Sequence, residues 1–166
     1  MKEPGAGGSV AQNVGAYLKG KNALAPITVG AGNGGSGVKQ VGQSIDRFLN
    51  RLPMSLKYII VAAATLGSGQ TAIVQPVVES SPDDSTYTDY GVDGVNDPAA
   101  TTITGNNDGS VVYAEIEVDV DLGAASEYVR LSLTPTLSRS GTDTVKFSAA
   151  AALGGLEALP NAAATT

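Results

Sequence analysis

The sequence contains no cysteine, no histidine and no tryptophan, and aromatic residues make up only 5% of its 166 positions. Without cysteine there are no disulfide staples and no thiolate metal sites, so the chain holds together non-covalently and thiol usage says nothing about its compartment. Without histidine, the commonest general base and the commonest metal ligand are missing, and any catalysis would fall to carboxylates, Lys, Ser or Tyr. The shortage of rings leaves a core of Val, Ile, Leu and Ala, which is thin and gains from support by neighbours. No apolar run reaches the length that spans a bilayer, and Met1 to Gly5 lacks the apolar stretch of a secretory signal. Synthesis in a cytoplasm is expected, with no membrane partner.

What is abundant is turn chemistry. The chain has 21 glycines and 8 prolines, and short runs of Val, Ile, Thr and Tyr lie between them, a pattern of many short strands joined by turns. A length of 166 suits one domain. The net charge of −6 is unevenly spread, because residues 1–57 carry seven basic and two acidic side chains whereas the remainder carries three basic and fourteen acidic. An acidic body argues against direct nucleic-acid binding, which needs clustered Lys and Arg.

Residues 1–37 are rich in Gly and Ala without a sustained period and read as an extended, flexible N-terminal arm ordered against a partner. A β-sandwich domain is expected over 38–160, followed by a loose tail over 161–166. Within the domain Val38, Val41, Ile45, Phe48, Leu49 and Leu52 fall at helical spacing, yet Gly42 sits inside and Pro53 follows, so a short helix and an irregular strand compete, with a strand near Ser44 to Leu49 favoured. Lys57 to Ala64 reads as a buried strand, with Thr71 to Ser80 as its antiparallel partner across the turn Leu66-Gly67-Ser68-Gly69. Pro76 is expected at an edge or bulge, and Ser81 to Ser110 is a polar excursion. Val111 to Asp121 alternates strictly, with Val112, Ala114, Ile116, Val118 and Val120 on one face and Tyr113, Glu115, Glu117, Asp119 and Asp121 on the other. Glu127 to Thr134 and Thr144 to Leu153 supply further strands, with Pro135 and Gly141 in the connection. The expected fold is all-β, an antiparallel β-sandwich or jelly roll with an extended N-terminal arm.

Candidate chemistry is sparse. Asp83, Asp84, Asp89, Asp93 and Asp97 could serve glycosidase-type chemistry or hold Ca²⁺. They sit among Ser, Thr and Gly rather than apolar walls, and the EF-hand spacing is not met, so solvated loop acids are the better reading. Gly30 to Gly37 lacks the Gly-Lys-Ser/Thr ending of a phosphate cradle and reads as a linker. No cofactor, no metal and no catalytic residue are expected. The acidic row Glu115, Glu117, Asp119 and Asp121 is either a solvent face that blocks edge-to-edge aggregation or a docking face for a basic partner or for the basic arm of a neighbouring copy. Lys19, Lys21, Lys39, Glu115, Glu117 and Asp119 are the candidate partner-binding residues.

Read in order, Ser44-Ile45-Asp46-Arg47, Val77 to Gly91, Val118 to Leu122, Tyr128-Val129-Arg130, Thr134 to Ser138, Ser140 to Thr144 and Leu153 to Pro160 resemble the capsid decoration, or cement, proteins of tailed bacteriophages. The resemblance covers about residues 44–160. It implies a β-sandwich or jelly-roll subunit, clustered as dimers or trimers with copies of itself, bound to the major capsid protein on the outer surface of the head. It implies a virion location after synthesis in the host bacterial cytoplasm, and it brings no catalytic residue. A tail or head-to-tail connector component is the structural alternative. A carbohydrate-binding β-sandwich using Tyr87 and Tyr90 is another, weakened by the lack of Trp.

Overall fold

The computed structural model describes residues 18–31, 36–91, 98–138 and 141–155. Ten strands lie within them: β1 (Lys19–Gly30), β2 (Gln40–Val41), β3 (Ile45–Asp46), β4 (Ser55–Thr65), β5 (Thr71–Ser81), β6 (Thr88–Asp89), β7 (Thr101–Thr104), β8 (Val112–Asp121), β9 (Tyr128–Leu137) and β10 (Thr144–Gly154). The first sheet has the order β1-β10-β4-β8, and the second runs β2-β9-β5-β6, with β3 also on β9 and β7 also on β5. All pairings are antiparallel.

The short strands β2 and β3 share one flank of β9, and β6 and β7 share one flank of β5, so each pair fills a single position and the sandwich has eight. In chain order, the first position pairs with the eighth, the second with the seventh, the third with the sixth and the fourth with the fifth. The chain is therefore one long hairpin rolled up so that its arms are shared between two sheets. That is the jelly roll, all-β and antiparallel as expected.

Alternation on the long strands decides which side chains enter the core. Leu56, Tyr58, Ile60, Ala62 and Ala64 of β4 face inward with Ile116, Val118 and Val120 of β8 and Val145, Phe147, Ala149, Ala151 and Leu153 of β10. From the second sheet they meet Ala72, Val74 and Val78 of β5 and Val129, Leu131, Leu133 and Leu137 of β9.

Several local expectations are corrected. The arm expected over 1–37 is ordered sheet over 19–30, because β1 pairs with β10. Register shifts between Asn22 and Leu24 and between Leu24 and Ile27 break its period of two, which hides the strand in the sequence. Residues 1–17, the linker residues 32–35 and the tail 161–166 lie outside the described residues. The strand expected near Ser44 to Leu49 is only Ile45–Asp46; a single turn follows, in which Asp46 Oδ1 accepts from the Leu49 N–H at 2.9 Å and Arg47 O from the Leu52 N–H at 2.8 Å.

β4 and β5 do not form a hairpin. Leu66, 1% exposed, is buried where the chain crosses from one sheet to the other. Pro76 is in central β5 rather than at an edge, at the gap left between β7 (on 71–74) and β6 (on 79–80), where the missing N–H has no ladder to serve. Pro135 does not punctuate a connection but lies inside β9, opposite Val74. The excursion 81–110 contains β6 and β7.

The two sheets are seamed at one side by Gly42, whose N–H donates to Leu131 O at 2.8 Å while the Gln43 N–H donates to Ala23 O at 2.7 Å. A Cβ at Gly42 would lie 2.3 Å from Ala23 O and 2.6 Å from Leu131 O, both backbone atoms that cannot give way cheaply. Gly42→Ala is expected to cost about 3 kcal/mol by forcing this seam apart, read as a shift in the urea midpoint at constant slope. The Tyr58 hydroxyl shows the reverse case, fully buried with no hydrogen-bond partner among the described residues, and burial pushes its pKa far up. Removing an unsatisfied buried hydroxyl costs nothing, so Tyr58→Phe is expected to leave stability unchanged or raise it by about 1 kcal/mol. A loss of similar size in the same urea experiment would show that the hydroxyl is paired.

Candidate functional site

Two charged constellations stand out, one on each sheet. On the outer face of the second sheet, Glu79 of β5 lies directly across from Arg130 of β9. Glu79 is 4% exposed, and its carboxylate accepts from Arg130 Nε at 2.9 Å and pairs also with Lys39. The Arg130 guanidinium in turn sits 3.6 Å from the Tyr87 ring centroid, a cation–π stack. The Tyr87 hydroxyl donates to Asp84 and lies 2.7 Å from Ser44 Oγ. Strand order explains the convergence: β3 and β5 flank β9, and β6 folds back on β5. Segments 44–47, 77–91 and 128–130, distant in sequence and all among those that carry the decoration-protein resemblance, thus meet in one network.

The acids of this loop hold the backbone in shape. Asp83 Oδ1 accepts from the N–H groups of Thr86 and Ser85, each at 3.0 Å, and from Ser81 Oγ at 2.8 Å. These bonds, led by that from Thr86, hold its carboxyl well below the ordinary range. Asp84, in the left-handed conformation at φ 57°, is held down by Ser44 and Tyr87. Asp89 accepts from the Gly91 N–H at 2.9 Å, and Asp93 and Asp97 lie outside the described residues. Burial opposes ionisation of Glu79, yet hydrogen bonds from Lys39 and Arg130 outweigh it and lower its pKa. A carboxyl serving as general acid near neutrality needs the opposite shift. The arrangement is suited to pinning a loop to a sheet through ionised anchors.

The second constellation is the acidic row on β8. Glu115, Glu117, Asp119 and Asp121 face solvent from the edge of the first sheet, where β8 is paired with β4 alone among the described strands. Lys57, across from Asp119, lies 2.8 Å from Glu117 Oε2 and 3.1 Å from Asp119 Oδ1, which raises its pKa. One lysine thus serves part of the row.

The other candidate residues fall apart in space. Lys39 belongs to the Glu79 network, so it is engaged internally. Lys19 and Lys21 stand on β1, at the opposite edge of the first sheet from β8. Their register partners Leu153 and Ala151 are buried, so the two lysines share the inward-facing side of the sheet, whereas the acidic row faces outward. The structure therefore does not bring the candidate lysines and acids of one chain together. The tyrosines considered for sugar stacking are also occupied, Tyr87 by Arg130 and Tyr90 by a hydrogen bond to Asp121 O at 2.8 Å. Sequence reasoning missed Glu79; its signal, a lone acid facing an arginine across two apolar strands, exists only once the β5–β9 register is known.

No protein-family model matches the chain, and no curated protein matches it. The decoration-protein resemblance therefore rests on the motifs alone. Among solved structures, a chain of desmodium yellow mottle tymovirus aligns with 93% of this chain and 93% of its own length, at 9% identity and a TM-score of 0.29. A likeness at that score carries no argument, and the fold rests on the strand order.

The depressed pKa of Glu79 sets a sign for acid stability. Its contribution is fully present above the unfolded value of about 4.3 and is lost as pH falls through the lower folded value. Glu79→Gln is expected to cost about 2 kcal/mol at pH 7 and to flatten the stability profile below about pH 4, measured by urea unfolding across pH. A variant profile parallel to that of the wild type would remove Glu79 from the account.

Proposed function

We propose that this chain is a virion structural subunit that packs against copies of itself and against a protein shell. The observation that supports the reading best is the complete eight-position jelly roll, an architecture used by viral capsid and lectin domains. The fold alone does not assign the function; the surface adds to it. Large apolar side chains stand exposed at Phe48 (60%), Leu49 (79%), Met54 (54%), Val61 (50%) and Tyr113 (75%). They lie on the β3 turn, at the start of β4, and on the outer face and free edge of the first sheet. Contacts needed on several sides suit a subunit surrounded by neighbours. In this reading the chain is not an enzyme, and its partners are copies of itself and the major capsid protein.

The finer placement is that of a decoration subunit on the outer surface of a bacteriophage head, which the motif resemblance over 44–160 supports. A cement subunit present in many copies gains avidity from modest contacts with several capsid subunits. A second placement, favoured by the closed strand order, makes the chain a building block of the shell itself.

Quantitative mass spectrometry of purified particles, together with expression of the chain alone, separates these possibilities. The decoration placement expects a fixed high ratio to a distinct major capsid protein and no closed shells from the chain by itself. Closed shells from this chain alone would move it into the shell wall. A few copies per particle, or presence in tails only, would overturn both placements.

A further inference from the structure

At the side of the sandwich, a cleft of about 270 Å³ opens between β1 of the first sheet and the β3 turn of the second. Lys19, Lys21, Asn22, Gln43, Ser44 and Asn50 line it, with Leu49 adding an apolar wall. Asn50 is 3% exposed, and its Nδ2 donates to Asp46 O at 2.5 Å, which fixes the orientation of the amide. Its Oδ1 is then a buried acceptor with no donor among the described residues. Asp46, the one acid lining the cleft, uses its Oδ1 on the Leu49 N–H. Lys19 and Lys21 form no ion pair among the described residues. The cleft thus offers two cations beside a buried amide, and its single carboxylate, Asp46, is already engaged by the Leu49 N–H, so charge balance calls for further carboxylate.

An extended acidic strand carries carboxylates at regular intervals, and a free strand edge adds backbone N–H groups beside them. One such segment is already in the molecule. β8 carries Glu115, Glu117 and Asp119 at a spacing of two, matching that of Lys19 and Lys21, and its edge away from β4 is unpaired within the first sheet. A chain cannot fill its own cleft with it, because the order β1-β10-β4-β8 puts the two at opposite edges, three strand spacings or about 14 Å apart. Two β8 strands are poor partners for each other, since their like charges would face across the pair.

We infer that the Lys19, Lys21 and Asn50 cleft receives the acidic edge strand of a second copy of this chain. The contact joins different surfaces of the two copies, head to tail, and repeated about a rotation axis it closes a ring. The inference rests on the reading of the chain as a subunit that packs against its own copies, and it names the surfaces that meet.

The test uses two full-length variants, Lys19→Glu with Lys21→Glu, and Glu115→Lys with Glu117→Lys, followed by sedimentation velocity over a range of protein and salt concentrations. Circular dichroism checks that each variant keeps the wild-type fold. Each variant alone is expected to associate at least about tenfold more weakly than wild type. An equimolar mixture is expected to recover association, because alternating copies then present opposite charges at every contact. Variants that associate as well as wild type, or a mixture no better than its components, would overturn the inference. So would a wild-type chain that never associates and gains nothing from low salt. The subunit reading itself is judged separately, by copy number in particles, so the two can fail independently.

Discussion

The constraint on which the rest of the structure depends is the insertion of the last strand between the first and the fourth. β10 pairs with β1 on one side and β4 on the other, along almost its whole length. Its Phe147, Ala149, Ala151 and Leu153 are core residues, and the alanines keep the sandwich thin where β1 is irregular. The first sheet cannot form until residues near both ends of the chain have met, and every pairing of the roll except that of β5 with β6 and β7 spans a long loop. Such topologies fold slowly because loop-closure entropy is lost before the contacts that repay it are made. On the proposed reading, burial completed against neighbours lets the subunit tolerate a core with few rings.

With the roll closed, charge is sorted by position. On the second sheet, Glu79, Arg130, Lys39 and Tyr87 satisfy one another and tie the 81–91 loop to β9. On the first sheet the acids face outward at the β8 edge while Lys19 and Lys21 turn toward the gap at the β1 edge. The first arrangement is complete within one chain. The second is matched only in part within one chain, by Lys57 on Glu117 and Asp119, and it leaves Lys19 and Lys21 at the opposite edge of the sheet. Electrostatic complementarity of this kind sets register and partner choice more than raw affinity.

How much of this was legible in the sequence follows from periodicity. β8 was readable to within a residue because Val112 to Asp121 alternates without interruption, and β4 because a run of β-branched and small apolar residues has few other uses. β1 was hidden, since its bulges and Pro26 scramble the alternation and its partner strand carries the alanine run 149–152. The apparent β4–β5 hairpin misled because adjacency in sequence favours local pairing, whereas Leu66 is drawn into the core and carries the chain to the other sheet. Pro76 and Pro135 are both in central strands, each tolerated where the ladder leaves room, and no composition rule reveals such gaps. For the candidate site, the acidic row was visible as a row, but the Glu79 network and the cleft at Asn50 depend on register across β3, β5 and β9 and on a turn whose buried amide has no signature in sequence.

The central claim is that this roll is a subunit finished by its neighbours, and a cryo-electron map of the assembled particle tests it most directly. The account predicts many symmetry-related copies, each with the β1-β10-β4-β8 sheet intact and with a neighbour's β8 edge seated at the Lys19, Lys21 and Asn50 cleft. A particle in which the chain is absent, or stands isolated with both that cleft and the β8 edge open to solvent, would contradict it.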